Sequence, residues 1–198
     1  MTSADDLEAR ARAHVIELRE REGYPADPAS VDAVLAARSP YGWITVAEHE
    51  AREVRRATLV AVVEAVEDYG LDVPDAFAGV AYSMAAGDGV HAGFTGDVTV
   101  HEAALRGRVP DPSVLTVFPA RWSFAELERL PRTLRKDDDL RAAGLTVRSA
   151  EVDVRANALV VTPRDDLPDR AAVERLLADR YAGAVRLSPP AGAGCSSG

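Results

Sequence analysis

His49-Glu50 begins as the helix of a zinc protease begins, and so does His101-Glu102. That motif needs a second imidazole one helical turn on, so that two ligands share a face and grip one ion. Glu53 and Leu105 stand at those positions, so neither segment reads as a metal site. Asp137-Asp138-Asp139 offers hard oxygen ligands. Consecutive helical side chains diverge, however, and do not converge on one cation, so a solvated turn is expected. Arg132, Arg135, Lys136 and Arg141 offer positive charge to an anion, but the three aspartates offset them. His91 and His101 are expected as a solvated pair. Ser123 has no partner base that the sequence indicates, and a serine nucleophile needs one. Gly87-Asp88-Gly89 resembles part of a phosphate loop, yet no lysine follows and its flanks alternate like hairpin strands. A turn is the better reading. Trp43 and Trp122 stand beside helix starts, where a staple or core role suffices. No catalytic residue, cofactor or metal is expected, and so no enzyme.

The elements that would position these residues begin with helices. Leu7, Ala11, Val15 and Leu18 recur at helical spacing after a possible cap at Ser3, and Gly23 and Pro25 end the run. A short helix around Val31, Val34 and Leu35 follows. Thr45 and Glu48 form a capping box, in which hydroxyl and carboxylate each satisfy an orphan N–H. The helix it opens is expected to bury Ala47, Ala51, Val54, Ala61, Val62, Ala65 and Tyr69 and to stop at Gly70. Glu48, Glu50, Arg52, Glu53, Arg55 and Arg56 are expected to form its solvated face.

The segment after Pro74 repeats itself. Val80-Ala81-Tyr82-Ser83, the turn Ala86-Gly87-Asp88-Gly89 and Val90-His91-Ala92-Gly93-Phe94-Thr95 precede a helical stretch and Leu115-Thr116-Val117-Phe118-Pro119. Val152-Asp153-Val154, the turn Arg155-Ala156-Asn157 and Ala158-Leu159-Val160-Val161-Thr162 precede another helical stretch and Ala184-Val185-Arg186-Leu187-Ser188-Pro189. The two series match at an offset of about 67 residues, within the range of repeat architectures. Each reads as hairpin, helix, strand, with residues 90–95 equivalent to 158–162. Passing from the second strand over the helix to the third gives a parallel, right-handed crossover. The first helix starts near Asp97 or Thr99 and carries Val100, Ala103, Ala104 and Leu105. The second begins near Pro168, buries Val173, Leu176 and Leu177, and ends at Gly183. Between the repeats Ser123 and Glu126 form another capping box, with a stripe of Phe124, Leu127, Leu130 and Leu134. Pro131 would cost about 3 kcal/mol inside a helix, so a kink or two short helices is expected there.

Composition bounds the function. A net charge of −9 argues against a nucleic-acid or anionic-membrane surface, because both need clustered positive charge. One cysteine, Cys195, excludes an internal disulfide. It sits in a Gly/Ser/Ala tail expected to be disordered. No apolar run approaches the ~18 residues of a membrane span. The polar N-terminus does not read as a signal peptide, so the cytoplasm is expected on that ground. Lys136 as the single lysine among many arginines suggests a GC-rich bacterial genome.

The stretch Phe77-Ala78-Gly79-Val80-Ala81-Tyr82, the hairpin to Phe94-Thr95-Gly96-Asp97, Trp122-Ser123-Phe124-Ala125-Glu126-Leu127, the second hairpin from Val152 to Val161 and Tyr181-Ala182-Gly183-Ala184-Val185 carry a resemblance. Together they resemble the pro-region of secreted actinobacterial chymotrypsin-like serine proteases, of the streptogrisin and α-lytic type, and related stand-alone actinobacterial proteins. The resemblance covers roughly residues 75–189. It implies a secreted protein and a module that inhibits a protease or helps it fold. The chain contains no Gly-Asp-Ser-Gly nucleophile segment, so any such action would be in trans.

The sequence therefore predicts an α+β protein: a helical region over 1–74, two ββαβ units over 75–189 joined by a helical segment, and a tail at 190–198. The expected function is non-enzymatic protein binding. Val185, Arg186, Leu187 and Ser188, the closing strand, are the candidate contact residues, because a sheet edge can accept a partner strand. Pro189 and Pro190 donate no hydrogen bonds and stop further pairing. The rival is a small-molecule or enzymatic domain with a site between the two repeats.

Overall fold

Thr45 and Glu48 open the longest helix as their spacing predicts. The Thr45 N–H donates to Glu48 Oε2 at 2.8 Å, and the Glu48 N–H donates to Thr45 Oγ1 at 3.2 Å. The structure is a computed structural model that describes residues 4–85 and 87–190. The expected Ser3 cap, Ala86 in the first turn, and Cys195 with most of the tail lie outside the described residues. The elements run α1 (Ala4–Arg21), α2 (Pro28–Ala37), α3 (Val46–Asp72), β1 (Phe77–Tyr82), β2 (Val90–Phe94), α4 (Val98–Arg106) and β3 (Leu115–Pro119). Then come α5 (Phe124–Leu134), α6 (Asp138–Ala142), β4 (Val147–Asp153), β5 (Ala158–Pro163), α7 (Arg170–Tyr181) and β6 (Val185–Leu187). This is an α+β fold with a helical N-terminal region, and among the described residues it has two three-stranded sheets, ordered β1-β2-β3 and β4-β5-β6. None of the helices described is long and apolar enough to cross a membrane.

The repeat is real at the level of hydrogen bonds. In the first copy the Ala120 N–H donates to the Phe94 carbonyl at 2.8 Å; in the second the Ser188 N–H donates to the Val161 carbonyl at 2.9 Å. Phe94 and Val161 occupy the same register position, and both are fully buried. Ala92 and Leu159, two residues earlier, are buried as well, as the period of two requires. In the first hairpin, bonds from Ser83 N–H to Gly89 O and from Thr95 N–H to Ala76 O give an antiparallel pair. In the second, β4 and β5 are antiparallel and β5 and β6 parallel.

Contacts divide the chain into two units. One comprises Met1–Val63, Tyr82–Val90 and Pro110–Leu115; the other comprises Glu64–Ala81, His91–Val109 and Thr116–Gly198. The first has a small helical core of Val15, Val31 and Val34, flanked by Ile16 and Leu35. The α1 face differs from the one that spacing predicts. Leu7 is 58% exposed, and the buried positions are Val15 and Arg19. The same correction applies to α3. Val54 is 69% exposed, while Leu59, Val62, Val66 and Tyr69 are buried. Apolar periodicity marks which residues can be buried, but the neighbouring elements decide which are.

The charged face of α3 is not simply solvated. Glu48 binds Arg19, Arg52 bonds Glu22 at 3.2 Å, and Arg55 donates to the carbonyls of Ala85 and Asp88. Gly70 does not stop the helix, which runs on to Asp72. Its role is space: a Cβ there would lie 2.6 Å from the Phe77 ring.

In the second unit the segment forms two short helices, as one of the two expectations had it; α5 includes Pro131 and ends at Leu134, so the break falls three residues after the proline. The Ser123–Glu126 capping box is present and Ser123 is buried. The core beneath β4, β5 and β6 joins Leu134, Leu140, Leu145, Leu159, Val161, Val173, Leu177 and Val185. In α4 the inward side chains are His101 and Leu105, whereas Val100 is exposed. The His101 ring stacks on Phe94 at 4.4 Å and bonds the Tyr69 hydroxyl at 2.8 Å. It is therefore packed rather than one of a solvated pair.

Candidate binding site

The turn between β4 and β5 requires a left-handed residue, and Asn157 supplies it with φ 45°. Asparagine tolerates that conformation better than most residues do. The backbone there is closed by Asn157 N–H to Val154 O at 3.2 Å and by Ala156 N–H to Asp153 Oδ1 at 2.9 Å. The Asn157 amide then reaches a distant segment. Its Oδ1 accepts from the N–H groups of Arg121 and Trp122 at 2.8 and 2.9 Å, and its Nδ2 donates to the Trp122 carbonyl at 2.8 Å. Two donors and one acceptor on the backbone dictate which way the amide faces. One side chain thus fixes the strand-to-helix connection ahead of α5.

That connection presents Arg121 and Trp122. The Arg121 guanidinium lies 4.9 Å from the centre of the Trp122 ring and donates to the Ala182 carbonyl at 3.1 Å. Ala182 caps the C-terminus of α7 in the left-handed conformation, φ 49°, which turns the chain into β6. Arg155 comes from the Asn157 turn, and Arg186 from β6. Arg186 pairs with Val160, whose other neighbour is Glu151, so the side chains of all three share the outer sheet face. Arg121, Arg155 and Arg186 line a cleft of about 320 Å³ together with Phe118, Trp122 and Asn157, and among the described residues no carboxylate lines it. Glu151 stands two strands from Arg186, about 10 Å away. A second hollow of about 360 Å³ shares Trp122 and Ala182 with the cleft and adds Leu127, Leu130 and Tyr181. That hollow is also lined by Glu126, Arg129 and Arg180, so apolar and charged side chains mix in it.

The four residues expected to make contact divide. Val185 is 3% exposed and belongs to the core. Arg186 is exposed, and Leu187 and Ser188 are half-buried. The Ser188 carbonyl accepts from Arg170 at 2.6 Å. Of the four, Arg186 is the exposed residue. Sequence reasoning missed Arg121, Arg155 and Asn157. The signal available was an asparagine at a hairpin turn, where a left-handed residue with a spare amide is common.

The other candidates have local duties. Asp137 is not simply solvated: its side chain is 7% exposed and binds Arg180 at 2.7 Å, while Asp138 binds Arg141 at 2.7 Å. Asp137 also accepts from the Tyr181 hydroxyl at 3.1 Å. Burial, joined by that bond, pushes the Tyr181 hydroxyl up to about 12. His49 stacks on Tyr41 at 3.7 Å. Trp43 meets Tyr24 edge-on at 5.4 Å. Among the described residues no three His, Cys, Asp or Glu side chains are grouped to hold a metal. A hollow of about 610 Å³ in the first unit is lined by Glu22, Glu48, Arg52 and Arg55 among others; there Arg52 pairs with Glu22, Glu48 pairs with Arg19, and Arg55 bonds two carbonyls while its Nε is buried without a hydrogen-bond partner.

Compared with models of known protein families and with curated proteins, the chain matches none.

Proposed function

We propose that this chain is a non-enzymatic protein-binding module whose recognition surface surrounds Arg186 at the end of the second repeat. The observation that carries the reading is the cleft, which sets Arg121 and Arg186 beside Trp122 on a chain of net charge −9. Arginines on one surface of an acidic chain favour a partner of opposite sign. The guanidinium is also the group best suited to forked recognition of carboxylates. The resemblance to protease pro-regions makes a chymotrypsin-like serine protease the first partner to try, with the module inhibiting it or assisting its refolding in trans. The test is titration of the protein against a streptogrisin-type protease, following both peptide hydrolysis and the yield of refolded enzyme. Slowed hydrolysis or raised yield, lost in Arg186→Glu, supports the reading. No effect on either, with no complex by size-exclusion chromatography, removes the protease as partner.

A second reading is a small anionic molecule held in the same cleft. Its volume of about 320 Å³ falls at the lower end of ligand pockets. Thermal melts with small di- and tricarboxylates distinguish the two. A ligand that binds the native state raises the melting temperature in proportion to occupancy.

A further inference from the structure

The outer face of the β4-β5-β6 sheet is complementary in charge to itself, and we infer that it docks a second copy of this chain. The core tells the two faces apart. Leu159, Val161 and Val185 belong to it, with Ala150, Val152 and Leu187 packed against it. The residues that alternate with them, Glu151, Val160 and Arg186, therefore turn outward. These three are cross-strand neighbours: Glu151 pairs with Val160, and Val160 with Arg186. Glu151 and Arg186 are exposed, and Val160 is half-buried. One row thus carries an acid, an apolar residue and a base, with the charges about 10 Å apart at the backbone.

A two-fold axis lying between two such faces and running along β5 turns this row onto itself with its ends exchanged. Arg186 of each copy then stands over Glu151 of the other, and Val160 meets Val160. Two opposite-charge pairs form at once, as an isologous contact requires. The two β5 strands run nearly parallel in this arrangement, which is the aligned mode of sheet-on-sheet packing, with faces about 10 Å apart. An arginine and a glutamate together span that gap. The next row on the face, Ser149 and Thr162, is short and polar and does not obstruct the approach. Asp153, at the end of β4, accepts from the Ala156 N–H of its own turn. The inference is independent of the protease reading, although Arg186 serves both, so a second copy and another partner exclude each other there. The face measures about 14 by 17 Å, small beside the roughly 800 Å² per partner of a standard interface, so the association is weak.

The test is sedimentation equilibrium of the full chain from about 10 μM to about 1 mM, where the wild type should pass from monomer toward dimer. Arg186→Glu and Glu151→Arg each set like charges opposite one another across the axis, and each should weaken dimerisation by at least about tenfold in Kd. The chain carrying both changes should return to within about threefold of the wild type. It keeps the net charge of −9, so recovery does not come from altered self-repulsion. An equimolar mixture of the two single variants should associate as well, because one copy brings two arginines to the face and the other two glutamates. Melting temperatures establish that each variant is folded.

A wild-type chain that stays monomeric to about 1 mM overturns the inference. So does a dimer that either single variant leaves intact, or one that neither the double exchange nor the mixture restores. A monomer throughout, together with a protease complex lost in Arg186→Glu, assigns the face to that partner instead of a second copy.

Discussion

Arg19 is 1% exposed, and its guanidinium holds Glu48 through two hydrogen bonds, at 2.8 and 3.1 Å. Two further donors are also used: Nε reaches the Pro25 carbonyl at 2.6 Å, and Nη1 the Trp43 carbonyl at 3.2 Å. Glu48 in turn caps α3 through the Thr45 N–H. One carboxylate therefore joins α1, the loop before α3 and the first turn of α3. Breaking a buried pair from one side leaves an uncompensated charge, which is more costly than losing both partners. Glu48→Ala should cost about 3 kcal/mol in urea denaturation, and under about 1 kcal/mol in an Arg19→Met background. Equal losses in the two backgrounds would show that the pair is not coupled.

The same pair sets an acid limit. The hydrogen bond from Arg19 is the largest influence on the Glu48 carboxyl, which falls from 4.5 to about 2 despite burial pulling it up. A folded-state value below the unfolded one means stability that is complete above about pH 4.5 and lost as pH falls toward 2. The melting temperature should decline across that window, and Glu48→Gln should flatten part of the decline. An unchanged slope in the glutamine variant would count against the coupling.

Gly93 faces the Phe118 ring so closely that a Cβ would lie 2.8 Å from it. Gly93→Ala should therefore destabilise by about 1–3 kcal/mol through overpacking. Phe118→Leu, added to it, should recover part of that loss by vacating ring volume. Thermal melts of the two variants check both directions.

Asn157 combines a left-handed backbone with three side-chain hydrogen bonds. Asn157→Ala should cost about 2–4 kcal/mol, and Asn157→Gly less, because glycine adopts the turn without strain. Both should raise hydrogen exchange at the Arg121 and Trp122 amides. Protection retained at those two amides would mean that the connection holds without its amide clamp.

The α+β class and the duplicated ββαβ order are legible in the chain because both rest on local signals. Alternation in Val90, Ala92 and Phe94 sets a period of two; the capping boxes at Thr45 and Ser123 mark helix starts; glycine and asparagine mark turns. These depend on neighbours within a few positions, so a linear reading reaches them. The buried faces of α1 and α3 were less legible, since Leu7 and Val54 satisfy the helical period and are exposed all the same. Which stripe is covered depends on what packs against it. Gly70 reads as a stop and acts as room for Phe77.

The cleft depended most on tertiary structure. Arg186 was visible as part of the closing strand. Arg121 and Arg155 lie 34 residues apart in the chain and meet because the Asn157 amide, at a hairpin tip, bonds a backbone segment 35 and 36 residues away. No periodicity encodes such a contact. Residue types and their local spacing determined the elements; the long-range hydrogen bonds of one left-handed asparagine decided which charges those elements bring together.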